Sequence, residues 1–189
     1  MLDRRDFVAR LLVDRGELLV VTGLGTSTFD VVACGDHSLN FYVWSGMGCT
    51  AMVGLGLALA RPDRRVAVIT GDGDVLMGLG SLATIGVKQP GNLSIVVLDN
   101  GHYAATGMQV SHTAAGVDLA GTAKSCGFRH VVAVSKPDAA AGVRTMLHTQ
   151  QGPTFIHARV KADDQPRIIP SRDGHAIKYR FIEASAKQL

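Results

Sequence analysis

Two polar side chains follow two apolar segments at a spacing that could bring them together. Asp72 lies between two glycines directly after the apolar run Arg65–Thr70, and Asn100 follows the run Leu93–Leu98. A carboxylate oxygen and an amide oxygen suit Mg²⁺ or Ca²⁺ when phosphate and water complete the coordination, whereas zinc prefers nitrogen and sulfur. The glycines leave room for a phosphate to approach the backbone. These residue types therefore predict a phosphate site that depends on a divalent cation.

The elements between these two residues must set their positions. A helix predicted over Asp74–Val87 would descend about 21 Å, at roughly 1.5 Å per residue. The strand Leu93–Leu98 would climb back about 20 Å, at roughly 3.3 Å per residue. The two lengths nearly cancel, so Asn100 should return to the level of Asp72 at the carboxyl edge of a sheet, where ligands collect. The helix would also direct its free N-terminal N–H groups at this point, which favours an anion.

Apolar strands alternate with helical patterns along most of the chain. The predicted helices are Leu2–Asp14, Met47–Ala60, Asp74–Val87, Asp118–Cys126 and Pro137–Thr149. The predicted strands are Glu17–Thr22, Phe41–Trp44, Arg65–Thr70, Leu93–Leu98, His130–Val134 and Thr154–Val160. This alternation predicts an α/β fold, a single three-layer domain with a mainly parallel sheet and helices on both faces. The domain is predicted over residues 1–160, followed by a C-terminal tail over 161–189 with a helix near its end.

Composition narrows the class of protein. The chain has 189 residues and a net charge of +3, and its basic residues are scattered rather than gathered into the stripe typical of nucleic-acid binding. Cys34, Cys49 and Cys126 are widely spaced, which disfavours a disulfide framework or an iron–sulfur site. The N-terminus has no apolar signal core, and no apolar run is long enough to span a bilayer. We therefore expect a soluble, cytoplasmic protein without a nucleic-acid or membrane partner.

The pair of polar segments resembles a known cofactor motif. Gly71-Asp72-Gly73, followed after 25 residues by Asp99-Asn100, is similar to the GDG…NN motif of thiamine-diphosphate-dependent enzymes, with Asp99 in place of the first Asn. The resemblance implies thiamine diphosphate and Mg²⁺ as cofactors. It also implies that Asp72 and Asn100 bind the metal through their side chains, and His102 through its backbone carbonyl.

A second segment of the same family is similar to Trp44-Ser45-Gly46-Met47-Gly48. The resemblance implies that Met47 wedges between the two rings of the cofactor and that the Ser45 carbonyl accepts a hydrogen bond from the aminopyrimidine. Asp74 is expected to cap the helix that follows it. The full set of implied cofactor contacts is Gly25, Thr26, Ser27, Ser45, Gly46, Met47, Gly71, Asp72, Gly73, Asp74, Asn100, His102, Tyr103 and Ala104.

Further segments resemble the β-type chains of sulfopyruvate and phosphonopyruvate decarboxylases. They are Leu39–Tyr42, Leu55–Leu59, Leu98–Tyr103 and Thr106–Gln109. The resemblance implies the diphosphate-binding subunit of a heteromeric decarboxylase that acts on a small anionic 2-oxoacid. A subunit of an acetolactate-synthase-like carboligase and a non-catalytic cofactor-binding subunit are the alternatives. The 2-oxoacid:ferredoxin oxidoreductases also have a chain of this type, but the cysteine clusters they usually need are absent here.

The glutamate that activates the cofactor in this family belongs to a separate pyrimidine-binding domain. Glu17 and Glu183 are the only glutamates of this chain, and both lie near its ends. We therefore expect a partner subunit that carries the pyrimidine domain, self-association of this chain, and little activity of the chain alone. His102 and His112 remain catalytic candidates, because either could donate a proton or bind an acidic group of the substrate.

Overall fold

The structure is a computed structural model that describes residues 1–186, so the last three residues of the predicted tail lie outside it. The strands are β1 (Leu19–Thr22), β2 (Asn40–Tyr42), β3 (Val66–Gly71), β4 (Leu93–Asp99), β5 (His102–Tyr103), β6 (Gln109–Val110), β7 (His130–Val134) and β8 (Thr154–Arg159). The helices are α1 (Arg4–Leu12), α2 (Thr26–Ala33), α3 (Thr50–Ala60), α4 (Asp72–Met77), α5 (Gly80–Lys88), α6 (Leu119–Ser125), α7 (Ala139–Thr149) and α8 (Gly174–Ala186). Within residues 1–186, none of these helices combines the length and the apolar character needed to cross a membrane.

Six strands form one parallel sheet in the order β2-β1-β3-β4-β8-β7. Both of its faces are buried, because successive side chains of β4 enter opposite cores. Val96 and Leu98 pack in the core that contains α1, α2 and α7. Ile95 and Val97 pack in the core that contains α3, α5 and α6. The predicted three-layer α/β fold is therefore confirmed.

The register of the two central strands sets the level of the polar residues that follow them. Strands β3 and β4 pair with Gly71 opposite Leu98. Asp72 and Asn100 therefore leave the sheet at the same edge and at nearly the same height. The predicted return of Asn100 to the level of Asp72 is confirmed by this pairing.

The helix predicted over Asp74–Val87 is wrong as a single element, because α4 and α5 are separated near Gly78. The loop that precedes α3 passes so close to this point that a Cβ built on Gly78 would lie 1.9 Å from the carbonyl oxygen of Gly48. Only glycine allows that approach, and the intruding loop ends α4 after six residues. Helix α3 begins at Thr50 and not at the predicted Met47, and residues 47–49 belong to this loop.

Two elements were not predicted. Helix α2 contains several β-branched residues, which have low intrinsic helix propensity, so tertiary contacts stabilise it. Val31 packs in the core, and the buried Asp30 accepts hydrogen bonds from Arg4 and Arg5. The second is the short antiparallel hairpin β5–β6, which is too small to produce a strand pattern in the sequence.

The C-terminal helix α8, predicted as a helix near the end of the tail, folds back onto its own domain. The ring of Phe181 packs edge-on against Phe41 of β2, with centroids 5.5 Å apart. Arg180 donates to Asp36 at 2.6 Å and to the backbone carbonyl of Asn40 at 3.4 Å. The segment before α8 is also held, because the indole N–H of Trp44 donates to the carbonyl of Ser171.

Candidate cofactor site

A cavity of about 130 Å³ lies at the carboxyl edge of β3 and β4. It is lined by every cofactor contact that the sequence implied except Ser45 and Gly46. The lining residues that are not among the implied cofactor contacts are Leu24, Leu98, Ala105 and Thr106. All four are chain neighbours of named residues, so a wider margin around the motifs would have included them.

The N-termini of two helices meet at this cavity. Gly25, Thr26 and Ser27, at the start of α2, line one side, and neither α2 nor α4 has a side-chain hydrogen bond at its N-cap. Uncapped helix N-termini present free N–H groups and attract anions. The sequence predicts an anion site only at the helix after Asp72, whereas the structure adds the N-terminus of α2, a helix that the sequence pattern does not indicate.

Asp72 is buried, and two hydroxyl groups hold one of its oxygens. Its Oδ2 atom accepts hydrogen bonds from Ser111 and, at 3.1 Å, from Thr113. Burial raises the pKa of Asp72; the hydroxyl of Ser111 opposes this rise, and the nearby charge of Asp99 adds to it. A carboxylate in this setting is stabilised by a cation.

Asn100 and His102 form a tight turn at the edge of the same cavity. The backbone N–H of His102 donates to Oδ1 of Asn100 at 2.9 Å, and the His102 ring Nδ1 lies 2.9 Å from the Asn100 carbonyl. The first contact fixes the orientation of the Asn100 amide. The turn thus engages Nδ1 of His102 while the residue lines the cavity, and its role as a proton donor stays a prediction.

The oxygen groups around the cavity fit Mg²⁺ bound together with a diphosphate. One carboxylate, one amide oxygen and backbone carbonyls are hard donors that leave positions for phosphate and water. Among the described residues that line the cavity, none is Lys or Arg. A diphosphate beside Asp72 would therefore be repelled unless a cation lay between them. The described residues also contain no cluster of three or more His, Cys, Asp or Glu that could hold a metal without such a ligand.

Met47 lines both this cavity and a second, larger one. The second cavity, of about 570 Å³, is lined mainly by apolar side chains, and it shares Met47, Gly73 and Tyr103 with the first. A Cβ on Gly73 would lie 2.6 Å from the Tyr103 ring and 3.2 Å from Met47 Cε, so glycine is required for this packing. Met47 is only half-buried, as expected of a residue that faces two spaces and not of a core methionine.

Ser45 and Gly46 do not line either cavity. Ser45 is exposed and has a φ of 61°, a conformation that is uncommon for residues other than glycine and is often found at functional sites. Ser45 is thus exposed two residues before Met47, and the backbone contact predicted for it stays a prediction.

The expectation that Asp74 caps its helix is wrong. Its Oδ1 accepts the backbone N–H of Gly48 at 2.6 Å, and its Oδ2 accepts the hydroxyl of Thr70 at 2.6 Å. Asp74 lies inside α4, whose N-cap is Gly71. The carboxylate therefore turns away from the helix N–H groups and fastens the loop that carries Met47 to the end of β3.

Asp99, which occupies the position of the family's first Asn, is fully buried in a network that the sequence did not reveal. It accepts hydrogen bonds from His157 at 2.6 Å and from Arg159 and Thr113 at 2.8 Å each. Burial would raise the pKa of Asp99, but the hydrogen bonds of His157, Thr113 and Arg159 outweigh it and lower the pKa to about 2. Strand β8 runs parallel beside β4 with Arg159 opposite Asp99, and this pairing brings His157 and Arg159 into contact with Asp99.

His112, the other catalytic candidate, is exposed and lines the second cavity. Its Nδ1 atom lies 3.3 Å from the hydroxyl of Tyr103. These two side chains are the polar groups on a wall that is otherwise formed by Met47, Gly73, Leu76, Met77, Leu79 and Val117.

Fold and site together define a parallel α/β domain that can hold a diphosphate and a divalent cation at the carboxyl edge of its central strands. Residues 23–158 match the family model described as thiamine pyrophosphate enzyme, C-terminal TPP binding domain. The chain belongs to this family.

Similar sequences and a similar structure agree with this family assignment. The chain is 35% identical over 183 residues to the sulfopyruvate decarboxylase subunit beta of Methanothermobacter thermautotrophicus, covering 97% of this chain and 95% of that one. It is 42% identical over 158 residues to the phosphonopyruvate decarboxylase of Streptomyces viridochromogenes, covering 80% of this chain but only 39% of that longer protein. The thiamine diphosphate-dependent 4-hydroxybenzoylformate decarboxylase of Rhodococcus jostii RHA1 shares the fold, with a TM-score of 0.70 and 22% identity over 87% of this chain and 33% of that one.

Proposed function

We propose that this chain is the diphosphate-binding subunit of a two-chain, thiamine-diphosphate-dependent decarboxylase. Its substrate would be a small anionic 2-oxoacid of the sulfopyruvate or phosphonopyruvate type. The observation that carries the proposal is the cavity beside Asp72, where a buried carboxylate, an amide oxygen and two uncapped helix N-termini converge without a basic side chain. The match to nearly the whole length of a sulfopyruvate decarboxylase subunit beta supports the substrate class.

The residues of the first cavity would hold the diphosphate end of the cofactor. Asp72, Asn100 and the His102 carbonyl would bind Mg²⁺, and the N–H groups at the start of α2 would bind phosphate oxygens. Met47 would keep the two rings of the cofactor apart. When bound, thiamine diphosphate supplies the electron sink that allows a 2-oxoacid to lose CO₂. The apolar wall of the second cavity would exclude water from the reacting groups.

A partner subunit would complete the site. Glu17 and Glu183 line a separate cavity together with His37 and Arg180, and neither lines the candidate cofactor cavity. We therefore assign the activating glutamate to a pyrimidine-binding domain on another chain. Large exposed apolar side chains near the two cavities support an interface with this partner subunit. They include Met77, Met108, Val110 and Val117. We also expect two copies of this chain to associate in the complete enzyme.

Reconstitution tests the proposal. The full chain would be mixed with a candidate pyrimidine-domain subunit, thiamine diphosphate and Mg²⁺, and assayed against sulfopyruvate, phosphonopyruvate, pyruvate and 2-oxoglutarate. We expect release of CO₂ and an aldehyde with one of the first two substrates, and loss of this activity when the partner's activating glutamate is changed to Gln.

Other outcomes would replace the proposal. Formation of acetolactate from pyruvate would indicate a carboligase. Cofactor binding without turnover by any reconstituted pair would indicate a non-catalytic subunit. Turnover of about 1 per second or more by this chain alone would overturn the requirement for a partner.

A further inference from the structure

A buried chain of hydroxyl and carboxylate groups connects Asp72 to the neighbouring strands. Ser111 and Thr113 are 1% and 7% exposed, and both hydroxyls reach the same oxygen of Asp72, Oδ2. Their own oxygens lie 2.9 Å apart. The two donors thus act on one side of the carboxylate, although they come from a segment 39 or more residues away in sequence.

Thr113 also contacts the second buried carboxylate. Its Oγ1 lies 2.8 Å from Oδ1 of Asp99 and 3.1 Å from Oδ2 of Asp72, so the two carboxylates share its single hydroxyl proton. Oδ1 of Asp99 also accepts the N–H of Gly101 at 2.9 Å. The other oxygen of Asp99 accepts hydrogen bonds from His157 and Arg159, which belong to β8. Thr113 therefore cannot shift without disturbing a network that is anchored in the sheet.

The backbone brings Ser111 to this place. Strands β5 and β6 form a hairpin whose second strand ends at Val110, and the N–H of Ser111 then donates to the carbonyl of Gly101 at 2.8 Å. The turn that carries Ser111 and Thr113 is thereby fixed to the segment that carries Asn100. Both side chains proposed as metal ligands share this one support.

Carboxylates that bind a metal are commonly hydrogen-bonded by neighbouring residues, which fix the orientation of the ligand. We propose that Ser111 and Thr113 are positioning residues that hold Oδ2 of Asp72 and leave Oδ1 for Mg²⁺. This inference rests on the proposed function, since it assumes that the site binds Mg²⁺ together with thiamine diphosphate. It assigns to the Ser111–Thr113 turn a role in metal affinity and not only in folding.

Calorimetric titration of the full chain with thiamine diphosphate, repeated over a series of Mg²⁺ concentrations, tests the inference. We expect Ser111→Ala and Thr113→Val to raise the Mg²⁺ concentration required for binding by about 10- to 100-fold, as is typical when a residue that supports a metal ligand is removed. Thr113→Ser keeps the hydroxyl and should restore the wild-type requirement. Thr154→Val is the matched control, because Thr154 is fully buried but its hydroxyl has no hydrogen-bond partner among the described residues.

The outcomes separate this inference from the proposed function. If the wild-type chain binds thiamine diphosphate without any dependence on Mg²⁺, the proposed function loses its metal site. If wild-type binding depends on Mg²⁺ but Ser111→Ala and Thr113→Val show the same dependence, only the positioning role is overturned. Thermal unfolding of each variant is measured alongside. Should Thr113→Val not fold, Ser111→Ala decides the question, because it removes one hydroxyl and leaves Thr113 bound to Asp99.

Discussion

Two carboxylates stand two residues apart on α4, and the protein uses them differently. Asp74 has both oxygens engaged within the domain, one by Gly48 and one by Thr70. Asp72 receives its side-chain hydrogen bonds at Oδ2 alone. The first arrangement fastens a loop, whereas the second suits a ligand that faces a cavity. The comparison shows that residue type and burial do not distinguish a structural carboxylate from a binding one; the distribution of its partners does.

The largest effect should follow from changing Asp72. Asp72→Ala removes the only carboxylate proposed to bind the metal, so Mg²⁺-dependent binding of thiamine diphosphate should be lost. The loss should exceed the roughly 10- to 100-fold cost of removing a supporting residue. Calorimetry with and without Mg²⁺ measures it. An Asp72→Ala variant that binds the cofactor as tightly as the wild type would contradict the distinction between the two carboxylates.

Changing Met47 tests what Asp74 holds in place. Met47→Ala should lower turnover of the reconstituted enzyme by up to about 100-fold, the scale expected when reacting groups lose their alignment. Cofactor affinity should change much less, because the diphosphate contacts remain. Steady-state kinetics and calorimetry on the same preparation give the two numbers. A structure with bound cofactor in which Met47 points into the core would rule out the wedge.

Changing Asp74 should affect stability. Asp74→Ala leaves the Gly48 N–H and the Thr70 hydroxyl without their acceptor, and we expect a loss of about 3 kcal/mol in the free energy of unfolding. The Mg²⁺ requirement of whatever folded protein remains should stay as in the wild type. Urea denaturation measures the first quantity. Asp63→Ala is the control, because Asp63 is exposed and pairs with Arg61 at the surface. The free energy of unfolding of this variant should match that of the wild type.

The smallest effect should come from Thr70→Val. This change keeps the shape of a fully buried side chain but removes one of the two hydrogen bonds to Asp74, so about 1.5 kcal/mol of stability should be lost. The loop remains attached through Gly48. A loss as large as that of Asp74→Ala would mean that Thr70, and not the loop contact, accounts for most of the role of Asp74.

The site could be predicted from the sequence where it depends on the two central strands. The apolar runs before Asp72 and Asn100 fix their height, and strand and helix lengths are almost constant. Asn100 returns to the level of Asp72 although the intervening helix is broken at Gly78, because the register depends on the pairing of β3 and β4 and not on the helix.

The parts that could not be predicted depend on contacts between segments distant in sequence. His157 and Arg159 reach Asp99 only because β8 pairs with β4, a neighbour that periodicity does not reveal. Ser111 and Thr113 reach Asp72 through a hairpin of two-residue strands. Asp74 stands at the start of the predicted helix and is a residue type that favours N-caps, whereas its partner Gly48 lies 26 residues earlier, where no local pattern reveals the contact.

The contact between α8 and β2 has a consequence for how the protein behaves at high concentration. An edge strand with unpaired backbone groups is a template on which strands of other molecules can add and begin aggregation. Strand β2 is such an edge, and Arg180 of α8 occupies the backbone carbonyl of Asn40 while Phe181 covers Phe41. The C-terminal helix thereby protects the domain against edge-to-edge association during expression and storage.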